Sequence, residues 1–292
     1  MTDCDWLVEQ FEENRGRLRG VAYRMLGTLA EADDAVQECW LRLSRSDTND
    51  IANLNGWLTT VTSHVCLDML RSRKARHEDP LETSGPERSH KATTDPESEA
   101  LLADSVGYAT LVVLDRLNPA ERIAFVLHDL FDVAFEEIAR ITGRTPEAAR
   151  QLASRARRRV RGASTLDNQE LLEQRTLVEK FLAALRLGDP AKVVEVLDPE
   201  FAARADAVAT PPAGMPKVHG AEAWAREAIE ASRGARLARV AMVDGSIGLI
   251  VAPRGKLFRV LRFTFANGRI AGMDVVGDPE RLQEIEIGVL PA

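Results

Sequence analysis

A chain of 292 residues with a net charge of −7 and an isoelectric point near 5.4 is long enough for roughly two or three domains. Hydrophobic residues make up 45% of it, as in ordinary soluble globular proteins, but no apolar run is long enough to span a membrane. The acidic N-terminus lacks the apolar stretch of a signal peptide, which predicts a cytoplasmic protein. The 3 cysteines are widely spaced and form no CxxC motif, so we expect buried reduced thiols rather than a disulfide framework or a zinc site.

The first predicted domain, residues 1–76, consists of helices. Thr28 and Glu31 have the spacing of a capping box, and apolar side chains recur at helical spacing after them. A second amphipathic helix follows within residues 56–76 and ends in a basic cluster. The face of the first helix that is left to solvent or to a partner carries Asp33, Asp34, Gln37 and Glu38.

Residues 77–100 contain almost no large apolar side chains and are rich in Pro, Ser, Thr and charge, which predicts a flexible linker. Helical patterning resumes in residues 101–162, the second predicted domain. Near its end, Gly143 suits a helix C-cap, Thr145 an N-cap and Pro146 the first position of the next helix. Two helices joined by "TGRT" form a helix-turn-helix pattern.

Residues 163–169 are predicted to be a short linker to a domain of a different type, residues 170–278, which is followed by a tail at 279–292. Helices are expected at 170–187, 190–197 and 220–232. Four apolar, β-branched runs follow, separated by turn signals at Asp244–Gly245, Arg254–Gly255 and Asn267–Gly268. The predicted fold class is therefore multidomain, with two all-α domains followed by an α+β domain whose sheet is mostly antiparallel.

An arginine-rich segment, residues 144–162, "RTPEAARQLASRARRRVRG", holds 7 arginines and 1 acidic residue, Glu147. On a helical wheel, small and apolar side chains share one face and the opposite face is basic. Ordinary solvated faces alternate in sign, whereas this one has almost no acid to pair with. A polyanion would relieve the repulsion between the arginines, so we expect this helix to lie in a major groove of DNA. The residues placed to reach base edges are Glu147, Arg150, Gln151 and Ser154, those placed for phosphates are Arg155, Arg158 and Arg161, and the same surface begins at Arg144 and Thr145.

Segments within residues 1–162 resemble a known protein family. Residues 18–43, "LRGVAYRMLGTLAEADDAVQECWLRL", resemble region 2 of bacterial extracytoplasmic-function (ECF) sigma factors, and "GWLTTVTSHVCLDMLRSRKAR" resembles the promoter-opening part of that region. The stretch "LDRLNPAERIAFVLHDLFDVAFEEIARITGRTPEAARQLASRARRRVR" resembles region 4. The two regions occur in the family's order, so the resemblance covers residues 1–162 and implies a promoter-specificity subunit of RNA polymerase.

The resemblance implies a role for each helical surface. The acidic face, Asp33 to Glu38, would bind the clamp helices of the polymerase β′ subunit, and region 4 would meet the β flap and the promoter −35 element. Region 2 would read an unstacked base of the −10 element. The −10 contacts that it implies are Ser63, His64, Asp68, Arg71, Arg73 and Lys74.

Residues 170–278 resemble SnoaL-like domains of the NTF2-like cone fold, as in a subgroup of mycobacterial and actinobacterial ECF sigma factors. The cone encloses a pocket, which allows a small ligand, and Asp206, His219 and Asp274 are the candidate pocket residues. They form no tight motif, so no catalytic residue, cofactor or metal site is predicted. We expect this domain to regulate the sigma regions in cis.

Two other functions compete with this interpretation. A conventional helix-turn-helix regulator with a ligand-sensing domain would explain the arginine helix but not the acidic face at residues 33–38. A cyclase- or isomerase-like enzyme with a DNA-binding accessory would need a catalytic constellation, and the sequence offers no strong one.

Overall fold

The computed structural model describes residues 3–46, 51, 53–78, 108–164, 166–209, 218–231 and 235–290. These residues form two compact units. The first comprises the described residues before 108 together with residues 114–157. The second comprises residues 108–113 together with those from 158 onward. The division falls inside one long helix, before the predicted domain boundary at residue 162. The predicted linker lies almost entirely outside the described residues, since only 77 and 78 are described, as the end of a helix.

Three helices begin the first unit: α1 (Asp3–Leu26), α2 (Leu29–Leu43) and α3 (Leu54–Glu78). They pack against one another around a core that includes Phe11, Leu18 and Leu58. The predicted capping box starts α2, because the Thr28 hydroxyl accepts a hydrogen bond from the Glu31 N–H at 3.3 Å and donates one to its carboxylate at 2.7 Å.

Two of the cysteines belong to this helical core. Cys39 and Cys66 are buried free thiols, as predicted, and burial raises the pKa of both. A thiol with a raised pKa is a poor nucleophile, which is typical of a structural cysteine. The side chain of Cys4 lies outside the described residues.

The second group of helices is α4 (Tyr108–Asp115), α5 (Pro119–Phe125), α6 (Phe135–Thr142) and α7 (Pro146–Arg161). The Asn118 side chain accepts from the Glu121 N–H at 2.9 Å and so caps the start of α5. After α5 the helix changes to a π-helical turn at Val126–Leu130. This turn, α5 and α6 pack against α1 and α3 and share the first unit with them, whereas most of α4 and the last turn of α7 belong to the second unit.

The second unit contains helices and a single mixed sheet. Its helices are α8 (Asn168–Leu187), α9 (Pro190–Val196), α10 (Ala221–Ala231) and α11 (Pro279–Glu284). Its strands are β1 (Leu197–Ala205), β2 (Val218–His219), β3 (Ala238–Val243), β4 (Ser246–Val251), β5 (Arg259–Ala266), β6 (Arg269–Val276) and β7 (Ile287–Gly288). The sheet has 7 strands in the order β2-β1-β6-β5-β4-β3-β7.

The four predicted strands are β3 to β6, which pair antiparallel in sequence order. Hairpin turns occur at Asp244–Gly245 and Asn267–Gly268, where both residues have positive φ. The third turn signal is a 3₁₀ turn, Pro253–Gly255. Three strands were not predicted: β1, which runs parallel to β6, β2, which pairs antiparallel with β1, and β7, which pairs with β3. Helices α8, α9 and α10 cover the sheet over a core containing Phe181, Phe201, Trp224 and Phe263.

The predicted short linker starts against the edge of this sheet. The Val289 N–H donates to the Val160 carbonyl at 2.6 Å, and the Ser164 hydroxyl donates to the Gly245 carbonyl at 2.8 Å. Gly288 is packed so closely that an added Cβ would lie 2.7 Å from the Arg161 carbonyl oxygen. The last turn of α7 is therefore fixed to strand β7 of the C-terminal tail.

Candidate nucleic-acid interface

The helix-turn-helix is formed by α6 and α7. Gly143 ends α6 in the left-handed conformation, with φ of 69°, which a residue with a side chain rarely adopts. The Thr145 hydroxyl then accepts from the Ala148 N–H at 3.2 Å and caps α7, and Pro146 takes the first helical position. The local sequence therefore sets the turn between the two helices, as predicted.

Helix α7 has the two faces that the sequence predicts. Ala149, Leu152, Ala156 and Val160 are buried. The residues proposed for base and phosphate contacts are all exposed: Arg144, Thr145, Glu147, Arg150, Gln151, Ser154, Arg155, Arg158 and Arg161. Hydrogen bonds from its own backbone N–H and from the Thr145 hydroxyl lower the pKa of Glu147, so it is ionised at neutral pH.

The expectation that the arginines have almost no acid to pair with is wrong for three of them. Arg150 pairs with Glu136 at 3.2 Å, Arg155 pairs with Glu121 at 3.2 Å, and Arg157 pairs with Asp129. These acids come from α5, α6 and the π-helical turn, so inspection of the arginine segment alone cannot find them. Exposed cations remain on this surface, namely Arg158 and Arg161 of α7 and Arg144 of the turn before it.

The predicted acidic face lies on α2. Asp33, Asp34 and Gln37 are exposed, and Glu38 is half-buried. Arg19 of α1 donates to the Asp33 carboxylate through two nitrogens, at 2.6 and 3.0 Å, and Arg42 donates to Glu38 at 2.9 Å. The face is therefore polar and acidic, with part of its charge balanced by arginines of the same helical group.

The candidate −10 residues on α3 do not share one accessible surface. Ser63 is fully buried and its hydroxyl donates to the Thr59 carbonyl at 2.7 Å, so it is not part of the accessible surface of α3. Asp68 and Arg71 are exposed and His64 is half-buried. Arg73 donates to the Glu31 carboxylate and to the Leu26 carbonyl, and the side chain of Lys74 lies outside the described residues.

A cavity of about 360 Å³ lies between α2 and α3. Its lining includes Glu31, Arg42, Asp68 and Arg73, so charges of both signs surround it. The Glu31–Arg73 ion pair, at 2.5 Å, joins the start of α2 to α3 and forms one wall of the cavity.

Two of the three candidate pocket residues of the second unit come together. Arg281 donates to the carboxylates of Asp206 and Asp274, both at 3.3 Å, and Arg262 also pairs with Asp274. Burial tends to raise the pKa of Asp206, but hydrogen bonds from the N–H groups of Asp278, Gly277 and Ala209, with the charge of Arg281, lower it. The hydrogen bonds and ion pairs of Asp206 and Asp274 join the end of strand β6 to the start of α11.

His219 lies apart from this pair. It is exposed in the short strand β2, opposite Ala202 of β1. The hydrogen bonds and ion pairs of Asp206 and Asp274 do not include His219. The described residues therefore do not form a carboxylate–histidine pair from these three side chains.

Comparisons with known proteins agree with the two-region organisation. A family model of sigma-70 region 2 matches residues 10–76, and a model of sigma-70 region 4 matches residues 109–160. The first spans α1 to α3, and the second ends one residue before the end of α7. These matches define a sigma factor, with helical regions 2 and 4 followed by an α+β domain.

Individual relatives extend the match beyond the helical regions. The ECF RNA polymerase sigma factor SigJ of Mycobacterium tuberculosis H37Rv is 35% identical over 291 residues, 94% of this chain and 92% of that protein. A probable ECF sigma factor, SigI of M. tuberculosis CDC 1551, is 36% identical over 209 residues, 71% of this chain and 72% of its own length. The crystal structure of M. tuberculosis SigJ covers 94% of this chain and 98% of its own, with 34% identity and a TM-score of 0.46.

The chain therefore belongs to the ECF RNA polymerase sigma factors. Proteins of this family bind the RNA polymerase core and promoter DNA. The conventional helix-turn-helix regulator is not favoured, because it accounts for region 4 and not for the match to region 2. No helix among the described residues has the length and apolar character that a membrane span requires.

Proposed function

We propose that this ECF sigma factor binds core polymerase through the acidic face of α2, reads the promoter −35 element with α7, and is regulated in cis by its α+β domain. The observation that carries the proposal is the exposed basic face of α7. This helix is capped by Thr145 and is the second helix of a helix-turn-helix. This activity places the protein with the cytoplasmic polymerase and requires no catalysis of its own.

The polymerase contact is proposed for Asp33, Asp34, Gln37 and Glu38, facing the clamp helices of the β′ subunit. An acidic surface favours and steers association with a basic partner. Asp34 and Gln37 are exposed, whereas Asp33 and Glu38 already accept hydrogen bonds from Arg19 and Arg42. Asp34→Lys should therefore weaken core binding, and Glu179→Lys, an exposed acid on α8, is the matched control. Equal core affinity of the two variants would count against this face.

The −35 contact is proposed for the exposed face of α7, with region 4 also meeting the β flap. Glu147, Arg150, Gln151 and Ser154 lie early enough on the helix to reach base edges, as the second helix of this motif does in the major groove. Arg155 and Arg158 follow on the exposed face and are assigned to phosphates.

The −10 contact is proposed for a smaller set than the sequence suggests. Asp68 and Arg71 are exposed on α3 and His64 is half-buried, and Lys74 stays in the set as a prediction. Arg73 needs to leave Glu31 and the Leu26 carbonyl before it can reach a phosphate. Ser63 is omitted because it is buried.

Regulation in cis is supported by the contacts at the end of α7. The Val160 carbonyl accepts a hydrogen bond from the Val289 N–H, and the Ala163 N–H donates to the Glu286 carboxylate at 3.2 Å. These contacts join the tail to the last turn of the helix that we propose reads DNA, which supports regulation by the tail. Comparison of the full chain with a truncation after residue 165 determines whether the α+β domain activates or inhibits transcription.

A small ligand of the α+β domain is proposed to be an anion. An open surface depression of about 520 Å³ is lined by Arg186, Arg236 and Arg239. Arg186 donates to the carbonyls of Ala235 and Ala238 at 3.1 and 2.8 Å, which fixes its guanidinium in place. Inorganic phosphate should raise the melting temperature of the full chain more than that of the Arg236→Ala variant. An equal shift in both proteins would exclude this depression.

The proposed function is tested by transcription in vitro. Core polymerase would be supplied with the full chain, or with the truncation after residue 165, on a library of genomic promoter fragments. We expect the full chain to direct initiation at a defined set of promoters, and the truncation to change the yield at a fixed core concentration. Initiation that does not depend on the added chain would refute the sigma assignment, and identical yields would refute regulation in cis.

A further inference from the structure

Arg150 of α7 is held in place by the start of α6. Its Nη2 donates to Oε1 of Glu136 at 3.2 Å, and its Nη1 lies 3.7 Å from Oε1 of Glu147. Its guanidinium carbon lies 5.4 Å from the centre of the Phe135 ring, within the range of a cation–π contact. One face of the guanidinium is therefore covered by an aromatic ring, and two of its nitrogens face carboxylates.

The ring beneath Arg150 is itself fixed. Phe135 packs against the His128 ring with 3.9 Å between the ring centres. The His128 ring is fixed in turn by a 3.2 Å hydrogen bond between its Nδ1 and the Val133 carbonyl. A chain of contacts thus runs from the backbone of the turn before α6, through two rings, to the guanidinium of Arg150.

Glu136 differs from the acids that pair with the other arginines of α7. The side chains of Glu121 and Asp129 are 3% and 20% exposed, so their pairs with Arg155 and Arg157 are part of the packing. The Glu136 side chain is 59% exposed and lies beside an arginine of the basic face. An exposed carboxylate at a DNA-binding surface repels phosphates, so its contact with Arg150 has to compensate for that repulsion.

We infer that Glu136 and Phe135 are positioning residues that hold the Arg150 guanidinium for bidentate recognition of one guanine in the −35 element. Arginine recognises guanine through two donors directed at O6 and N7. A guanidinium has five N–H donors, and the Glu136 bond occupies one of them, so donors remain for the base. A side chain that is already ordered loses less conformational entropy on binding. This inference rests on the proposed function and adds two residues of α6 to the reading of the −35 element.

The experiment uses holoenzyme made from the full chain and core polymerase. A pool of duplexes randomised at the −35 element first identifies the preferred sequence, and affinities are then measured for that duplex and for each single base-pair change. The variants are Arg150→Ala, Glu136→Ala, Phe135→Leu and the double variant Arg150→Ala/Glu136→Ala. Glu137→Ala is the matched control, because it removes the same charge from the next residue of α6 and Glu137 is not an ion-pair partner of Arg150.

We expect Arg150→Ala to reduce discrimination at one G·C pair by roughly 5- to 100-fold, and Glu136→Ala to reduce it at the same pair by roughly 3- to 10-fold. Affinity for non-specific duplexes should stay equal or rise with Glu136→Ala, because a negative charge is lost. Phe135→Leu should act in the same direction as Glu136→Ala, and the double variant should discriminate no less than Arg150→Ala alone.

Three results would overturn the inference. If Glu136→Ala and Glu137→Ala raise affinity for all duplexes alike, Glu136 only repels DNA. If Glu136→Ala weakens binding to all duplexes alike, its role is structural. If the effects of Arg150→Ala and Glu136→Ala fall on different base pairs or add fully, the two residues act separately. Failure of the wild-type holoenzyme to select any −35 sequence would instead overturn the proposed function itself.

Discussion

Arg122 and Arg150 are the same residue type in the same unit, but their surroundings are opposite. The Arg122 side chain is 5% exposed and donates to the Met25 carbonyl at 2.7 Å and to the Asp115 carboxylate at 3.0 Å. Burial lowers its pKa, against the opposing charge of Asp115. The Arg150 side chain is 51% exposed and its ion-pair partner, Glu136, is exposed as well.

The difference between these arginines separates a structural charge from one that is open to a partner. Met25 lies in the last turn of α1, where backbone carbonyls have no partner within the helix. Arg122 supplies a donor to that carbonyl and so joins α5 to α1. Arg150 keeps half of its side chain in solvent, where another molecule can reach it. Charge alone cannot distinguish the two roles, whereas burial and the type of acceptor can.

The largest expected effect comes from removing the buried arginine. Arg122→Met should lower the free energy of unfolding of the first unit by about 2–4 kcal/mol, because a buried carbonyl loses its charged donor. Urea unfolding followed by tryptophan fluorescence measures this, since Trp6, Trp40 and Trp57 all lie in that unit. The same substitution at exposed Arg71 is the control and should cost less than about 0.5 kcal/mol. Equal losses of unfolding free energy at the two positions would contradict a structural role for the buried Arg122.

A second test measures how much the close packing of Gly288 stabilises the second unit. Gly288→Val should lower the stability of the second unit by about 1–3 kcal/mol, since a Cβ there would lie 2.7 Å from the Arg161 carbonyl oxygen. Gly272→Ala is the control, because its nearest neighbour would be at 3.4 Å. Hydrogen exchange of the Val289 amide, which donates to Val160, reports the opening of this contact. Unchanged exchange in Gly288→Val would show that the tail adapts to the added side chain.

A third test concerns a carboxylate whose partners are inside the fold. Asp206→Asn should lower the stability of the second unit at neutral pH by about 1–2 kcal/mol, because hydrogen bonds to a charged group are lost. The folded state lowers the pKa of Asp206, so its contribution is present above the ordinary value of about 3.9 and disappears as the pH falls through its lower folded value. Thermal unfolding between pH 7 and pH 3 should show the wild type and variant converging in acid. A difference that stays constant with pH would mean that the charge of Asp206 is not involved.

The local features of the fold could be predicted from the sequence. Caps at Thr28, Asn118 and Thr145, and the two faces of α7, depend on residues a few positions apart, which the sequence places side by side. Strand β1 could not be predicted, because "LDPEFAARA" lacks clean alternation and its main partner, β6, lies far along the chain. Long-range pairing of this kind leaves little trace in a local pattern.

The candidate site was predictable only where exposure follows from a single helix. Ser63 lies on the expected helix, but the packing of α1 and α2 against α3 decides that it is buried. Glu136, Glu121 and Asp129, which pair with Arg150, Arg155 and Arg157, come from earlier in the chain, so no pattern within residues 144–162 indicates them. The roles of these residues in binding polymerase and promoter DNA stay predictions.

The smallest effect is expected where an exposed arginine has a phosphate as its only proposed partner. Arg158→Ala should weaken binding of all promoter duplexes by the same factor and reduce the slope of log affinity against log salt concentration by about 0.9, the value for one phosphate contact. Arg150→Ala should instead depend on the sequence at one base pair. Salt titrations of both variants on the preferred duplex and on a duplex with that pair changed distinguish these outcomes. A sequence-dependent loss for Arg158→Ala would move this residue to the base-reading group and place the boundary between the two groups one turn later on α7.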